Sequence, residues 1–305
     1  MADPQPADAA QASSGPFRRV REDLFALTKA RLSILVVLTA LFGYLVATKS
    51  DGSFLWSTFF DTLLGTVLAA FGAAAFNQLM EVDVDARMRR TADRPLPANR
   101  MPKPMAFAIA WLFAAFGIIH LGVKVNVPAA AMAAATLLTY LFVYTPMKRV
   151  SSFNTVVGAV SGAIPPLIGW AAGGRSFATF GALFLFALLF LWQLPHFAAI
   201  NWMYREEYAK GGFKMWSNND ESGAKTARIA LFFAACLVLL GVLFPLLTPI
   251  MAWWGSLGGG LLGGIMVWLA FRFRRTGDRR DARTLFFYTL IYLPAMMLAS
   301  YIAWT

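Results

Sequence analysis

Three side chains four residues apart offer the clearest chemistry in this sequence. They lie in Asn77-Gln-Leu-Met-Glu81-Val-Asp83-Val-Asp85-Ala-Arg87-Met-Arg89-Arg90-Thr91-Ala-Asp93-Arg94-Pro95-Leu-Pro97. If the chain is helical there, Asn77, Glu81 and Asp85 project from one face, one turn apart. Asp83 points elsewhere. One amide and two carboxylates in a ladder are hard oxygen donors. Mg²⁺ takes such donors together with waters and substrate phosphate oxygens. Stacked carboxylates repel each other, and a divalent cation removes that cost. The cationic run after them, Arg87, Arg89, Arg90 and Arg94, is suited to the remaining negative charge of a diphosphate. Metal-binding carboxylates beside phosphate-binding arginines are what the departure of a diphosphate needs. The bland alternative is a solvated basic loop, which membrane proteins commonly carry.

A second charged segment comes after another apolar run. It reads Trp192-Gln193-Leu-Pro195-His196-Phe197, then Asn201-Trp202-Met-Tyr204-Arg205-Glu206-Glu207-Tyr208-Ala-Lys210-Gly211-Gly212. His196 and Glu207 are about three turns apart and share a face if the helix is unbroken. Pro195 is expected to distort the helix just before His196. Glu207 is the candidate for a further metal- or diphosphate-binding carboxylate. Tyr144-Thr-Pro146-Met-Lys148-Arg149 ends another apolar run with two cations, either of which could reach a diphosphate or serve as an interface anchor. His120 is read as an interfacial residue.

The elements that position these residues are membrane helices. Of the 305 residues, 58 % are hydrophobic and only 14 % are charged, against about 25 % charged in soluble domains. The apolar residues form nine runs, roughly 30–48, 55–79, 104–122, 128–146, 154–173, 178–202, 228–248, 250–272 and 284–304. With permissive ends, most of them approach the ~20 residues a spanning helix requires. Continuous apolar runs exclude the alternation of a barrel strand. The expected fold is therefore an all-α integral membrane bundle of about nine helices around a central cavity. Ala163-Ile-Pro165-Pro166 interrupts the fifth run, which lipid does not tolerate unless protein or a cavity covers the freed backbone.

The net charge of +11 does not indicate nucleic acid. With nine spans, 24 of the 27 Lys and Arg fall on the side of the N-terminus and the two charged segments, leaving only Lys49, Lys124 and Arg175 opposite. That is the positive-inside pattern, and it predicts a cell inner membrane protein with N-terminus and charged loops cytoplasmic. Arg272–Arg283 is read as a lipid headgroup contact. The single cysteine, Cys236, lies within a run and reads as a small apolar residue. Residues 1–24 are expected to form a disordered cytoplasmic tail and 25–305 the membrane domain.

These segments resemble those of the UbiA-type intramembrane prenyltransferases, and more closely the branch that farnesylates heme. The likeness rests on Asn77-Gln-x2-Glu81-x3-Asp85-x2-Met88-x-Arg90-Thr91-x2-Arg94-Pro95-Leu96, Tyr144-Thr145-x2-Lys148-Arg149, Trp192-Gln193-x-Pro195-His196-Phe197 and Arg205-Glu206-Glu207-Tyr208-x2-Gly211-Gly212. The resemblance implies farnesyl diphosphate and heme B as substrates, Mg²⁺ as cofactor and heme O as product. It also implies a link to a downstream enzyme that oxidises heme O. It assigns Asn77, Glu81 and Asp85 to the first metal–diphosphate motif and Glu207 to the second. Arg90, Arg94, Lys148 and Arg149 are then diphosphate contacts. His196, Trp192, Tyr208 and Arg205 become candidate heme contacts; His196 could ligate the iron, bond a propionate or bond a neighbouring helix. Three positions depart from the family pattern. Glu81 stands where many members have Asp. Gly211 stands four residues after Glu207, where a second Asp is usual. Ala30 replaces an expected proline. Rival readings are a prenyltransferase with another acceptor, such as an aromatic acid or a chlorin, and a membrane transporter.

Overall fold

The computed structural model describes residues 16–49 and 51–305, and among them the chain is all-helical apart from one isolated bridge between Met251 and Trp304. Nine stretches are long and apolar enough to cross a membrane. All nine runs read from the sequence are there, with ends shifted by a few residues. The chain is a multi-pass membrane protein.

Residues 1–15 of the expected tail lie outside the described residues. Residues 16–24, placed in that tail by their composition, are helical instead: α1 runs from Pro16 to Leu27. Proline suits a first helical position because the missing N–H would be unpaired there anyway. The helix is amphipathic, with Phe17, Val20 and Phe25 exposed among Arg18, Arg19 and Arg21. Its arginines and acidic pair interrupt the apolar residues, so the segment forms no apolar run in sequence. Lys29 then takes a left-handed conformation (φ 46°), and the first span, α2 (Ala30–Lys49), begins.

The second span, α3, runs from Trp56 to Asp85. Its 30 residues give a rod of about 45 Å at 1.5 Å per residue, while the hydrocarbon core is only ~30 Å thick. The helix therefore overshoots the apolar layer and carries its last turns, with the Asn77–Glu81–Asp85 ladder, to the membrane surface. The Thr91 hydroxyl donates to the Asp85 carbonyl (2.9 Å) and closes that end.

Helix α4 (Lys103–His120) continues as a π-helical turn, Leu121–Val125. The next span starts as α5 (Val127–Leu138) and passes through a second π-helical segment, Thr139–Tyr144, to Met147. Its start is capped by Asn126, whose side chain accepts from the Ala129 N–H (2.9 Å). The fifth span is split at Ile164 into α6 (Asn154–Ala163) and α7 (Pro165–Ala172), as the Pro-Pro pair requires. It is the most buried of the nine, so protein rather than lipid covers the break. Gly43 and Gly169 let α2 and α7 touch backbone to backbone; a Cβ at Gly43 would collide with the Pro166 carbonyl oxygen.

The sixth span, α8 (Phe180–Met203), passes through Pro195 and ends at Tyr204. A short helix, α9 (Arg205–Lys210), comes next. Helices α10 (Ala224–Leu247), α11 (Gly255–Thr276) and α12 (Arg279–Ala303) complete the bundle. The largest buried cluster joins α8, α10, α11 and α12 through Leu185, Leu189, Leu237, Met266 and Leu293. Large apolar side chains such as Phe60, Trp111, Phe232, Trp268 and Ile291 are exposed on the outside, where lipid would cover them.

Candidate active site

The ladder is real. Asn77, Glu81 and Asp85 are all buried in the last three turns of α3, while Asp83 faces outward. Each ladder residue has its own cation. Lys29 donates to Asn77 Oδ1 (2.5 Å), Lys148 to Glu81 Oε1 (2.8 Å), and Arg94 to Asp85 Oδ2 (2.6 Å). Glu81, Asp85 and their cations line one cavity of about 170 Å³, closed by Met88, Arg90, Thr91, Tyr144, Tyr208 and Phe213.

Three local features put these groups there. Gln78 donates to the carbonyls of Ala26 and Leu27 and ties the end of α1 to α3. The left-handed turn at Lys29 then delivers its ammonium to Asn77. On the other side, the π-helical segment lets Thr145 donate to the Tyr140 carbonyl and accept from Asn77 Nδ2 (3.0 Å). Extra residues in a helical turn rotate the next turn about the axis and recur at functional sites. Here the rotation aims Tyr144 and Lys148 at the cavity. Tyr144 packs against Gly158, where a Cβ would sit 2.7 Å from the ring, and the Lys148 ammonium lies 4.6 Å from the ring centre.

The two buried lysines differ in charge stability, and their partners explain why. Burial lowers the Lys29 ammonium to about 7; Arg94 and Lys148 push the same way, and Glu81 and Asp85 only partly oppose them. Its direct partner is a neutral amide. Burial also works against the charge of Lys148, but Tyr144 and the directly bonded Glu81 outweigh it and hold Lys148 raised.

The second segment is arranged differently from its sequence expectation. Because the helix breaks at Tyr204, His196 and Glu207 do not share an unbroken helical face. Glu207 does not line the carboxylate cavity. Its Oε2 accepts from the backbone N–H of Arg89 (2.7 Å), and it borders a separate depression of about 500 Å³ with Arg205 and Trp202. Arg149, expected beside the diphosphate, is exposed and does not line the cavity. It lies one residue beyond Lys148, and one step along a helix turns a side chain by about 100°. Tyr208 does line the cavity, and Arg90 lies 5.1 and 5.8 Å from the ring centres of Tyr204 and Tyr208. Arg205 instead covers Trp202 at 4.2 Å.

His196 and Trp192 sit at the contact between α8 and α12, apart from the carboxylates. The His196 ring stacks between Trp192 and Phe286 at 5.2 and 4.9 Å, and its Nδ1 is 2.7 Å from Thr289 Oγ1. That hydroxyl also donates to the Phe286 carbonyl, which leaves it an oxygen lone pair for Nδ1. Trp192 donates to the Thr289 carbonyl. His120, on the far side, bonds Asp61 (2.9 Å).

Sequence reasoning missed Lys29, Thr145, Thr155 and Asn201. A lysine abutting an apolar run and an amide inside one were visible signals. Thr145 stands in the Tyr144-Thr145-x2-Lys148-Arg149 element without a role read for it, and nothing in sequence singled out Thr155.

The UbiA prenyltransferase family model matches residues 36–291. The chain belongs to the UbiA prenyltransferase family. It is 41 % identical over 278 residues to a protoheme IX farnesyltransferase of Opitutus terrae, covering 90 % of this chain and 92 % of that one. It is 37 % identical to the protein of that name from Salinibacter ruber, covering 92 % and 98 %. A mitochondrial protoheme IX farnesyltransferase of Arabidopsis thaliana is 39 % identical, with 89 % of this chain matched to 62 % of that longer protein. Among solved structures, a digeranylgeranylglyceryl phosphate synthase superposes with a TM-score of 0.75 at 14 % identity, covering 92 % of this chain and 97 % of that one. An Archaeoglobus fulgidus UbiA homologue bound to GPP and Mg²⁺ gives 0.66 at 10 % identity, covering 91 % and 99 %. At such identities these two likenesses speak for the fold.

Proposed function

We propose that this UbiA-family enzyme transfers the farnesyl group of farnesyl diphosphate to a vinyl group of heme B, with addition of water, giving heme O and diphosphate. The observation that carries the transfer is the buried Asn77–Glu81–Asp85 ladder, of which Glu81 and Asp85 line one cavity with Lys29, Arg94 and Lys148 while Asn77 lies behind them, bonded to Lys29. The acceptor rests on the named relatives, 37–41 % identical over about nine-tenths of this chain.

The donor set fits Mg²⁺. Among the described residues no three His, Cys, Asp or Glu side chains converge on a protein-only metal site. Two carboxylates and an amide are the partial set that Mg²⁺ uses when substrate phosphates complete its shell. Asn77, Glu81 and Asp85 would hold it, and when bound it supplies charge neutralisation at the leaving group. Lys148, Arg94 and Arg90 hold the diphosphate oxygens, and Lys29 adds a fourth donor. The cavity of about 170 Å³ lies below the ~300 Å³ where drug-sized sites begin. It suits the diphosphate head, and the farnesyl chain and the macrocycle lie beyond it, past Leu32, Phe197 and Ile200.

Cleavage of the C1–O bond sends its electron pair to the diphosphate and leaves an allylic farnesyl cation. The terminal carbon of the heme vinyl group attacks C1. The cation this creates beside the porphyrin takes up water and loses a proton, which leaves a hydroxyethylfarnesyl side chain. Apolar lining by Met88, Phe213 and Met215 limits early capture of the first cation by water.

The basic surface supports an orientation with N-terminus and carboxylate cavity cytoplasmic, in the cell inner membrane. The test is direct. Membranes containing the protein are incubated with heme B, farnesyl diphosphate and Mg²⁺, and the heme is tracked by chromatography and mass. Appearance of heme O supports the proposal; unaltered heme B with intact protein rules it out.

A further inference from the structure

The carboxylate cavity has a second polar wall that the proposed function leaves unused. Thr155, in the first turn of α6, and Asn201, in the last turn of α8, both line it. Their exposures are 3 % and 4 %, yet Thr155 Oγ1 and Asn201 Nδ2 have no hydrogen-bond partner among the described residues. Helical threonines usually return the hydroxyl to the carbonyl four residues back, as Thr48 and Thr136 do here. For Thr155 that carbonyl belongs to Ser151, and it already accepts from the backbone and side chain of Asn154. Burying a donor without an acceptor is costly, so a ligand is expected to bring one.

The position of the pair identifies the acceptor. Lys29, Lys148 and Arg94 are each engaged by an acceptor on α3. The lining donors that are fully buried and unpaired stand on α6 and α8. Asn201 shares a helical face with Phe197, and Phe197 and Ile200 both line the cavity, so its amide lies where apolar lining meets charged lining. In a prenyl diphosphate the acceptor at that boundary is the ester oxygen joining C1 to phosphorus.

We propose that Asn201 and Thr155 are catalytic residues that donate hydrogen bonds to this ester oxygen. The inference rests on the prenyl-transfer reading of the same site. When the C1–O bond breaks, the electron pair passes to that oxygen and no proton moves. Donors fixed on two packed helices stabilise the growing charge without rearranging.

The experiment pairs Asn201→Leu, alike in branching, and Thr155→Val, nearly isosteric, with two ligands. One is farnesyl diphosphate. The other is its thiolo analogue, in which sulfur, a weak acceptor, replaces the ester oxygen. Each variant is expected to slow diphosphate release by about 10²-fold, the usual effect of one such donor. Without heme, the wild type is expected to bind the oxygen ester more tightly than the thiolo analogue, each variant to narrow that difference because one of the two donors remains, and the double variant to bind the two alike. Thr155→Ser keeps the hydroxyl and is expected to restore the rate, which separates chemistry from folding. Equal loss of affinity for both ligands overturns the assignment. So does normal diphosphate release with a product lacking the hydroxyl, which would make the pair a water site. A loss of rate in Thr155→Ser as large as in Thr155→Val overturns the role of Thr155. A wild type that releases no diphosphate overturns the proposed function, whereas normal release by wild type and both variants overturns this inference alone.

Discussion

Where α3 reaches the membrane surface the helix carries on through Glu81 to Asp85; where α8 reaches it, the helix stops at Met203. Both ends lead into a short acidic and basic segment, and in sequence the two look like variations on one theme. Their outcomes differ. Continuity on α3 keeps three buried acceptors in line and brings two of them, Glu81 and Asp85, to one cavity with three cations. The break at Tyr204 turns Glu207 away, toward the backbone of Arg89. The same residue types thus become a candidate reaction centre at one helix end and a brace for its loop at the other. The second end still contributes, through Tyr208 on the cavity wall and Asn201 just before the break.

The largest expected effect tests the α3 side. Glu81→Ala or Asp85→Ala should reduce heme O formation by at least 10³-fold, because each removes a metal ligand and leaves Lys148 or Arg94 unpaired. Detergent-solubilised protein should remain folded by size-exclusion chromatography. Wild-type turnover in either variant would remove the metal assignment.

Next is Lys148→Met, expected to cost about 10²- to 10³-fold in diphosphate release. Lys29→Met should cost less, about tenfold. Burial makes the Lys29 ammonium easy to discharge, with Arg94 and Lys148 adding to that effect, so Lys29 contributes less fixed charge than Lys148. An equal effect of the two would show that carboxylate pairing does not set their difference.

On the other side of the comparison, Glu207→Gln should lower activity by less than about tenfold, since it weakens a loop contact rather than removing a ligand. A loss as deep as that of Asp85→Ala would restore Glu207 to the metal site and erase the contrast. His196→Ala is expected to leave farnesyl diphosphate binding unchanged. Heme absorbance then decides between heme contact and packing against Trp192, Phe286 and Thr289.

Much of this arrangement is legible in the chain alone. The nine spans come from long apolar runs that admit one backbone solution in lipid. The ladder comes from spacing by four, and the split fifth span from Pro165-Pro166. The illegible part depends on where a helix stops. Nothing local marks Tyr204 as a break, since Trp-Met-Tyr-Arg-Glu-Glu suits a helix well enough. Pro195, a stronger local signal, does not end α8. Arg149 was misplaced because adjacent cations look alike in sequence while a helix sends them in different directions. Lys29 was missed as a partner because a single left-handed residue at the head of the first span aims it at Asn77. The missed polar pair, Thr155 and Asn201, comes from helices far apart in the chain, and only packing brings them to one wall.

The extra length of α3 bears on how products part company. On the proposed function, the diphosphate would depart at headgroup depth instead of mid-bilayer. Inorganic pyrophosphate can then diffuse straight into the aqueous phase without carrying its charges through oil. A newly alkylated porphyrin, now bearing fifteen greasy carbons, has every reason to remain behind in the lipid. One overlong rod would thereby sort the two products into separate phases.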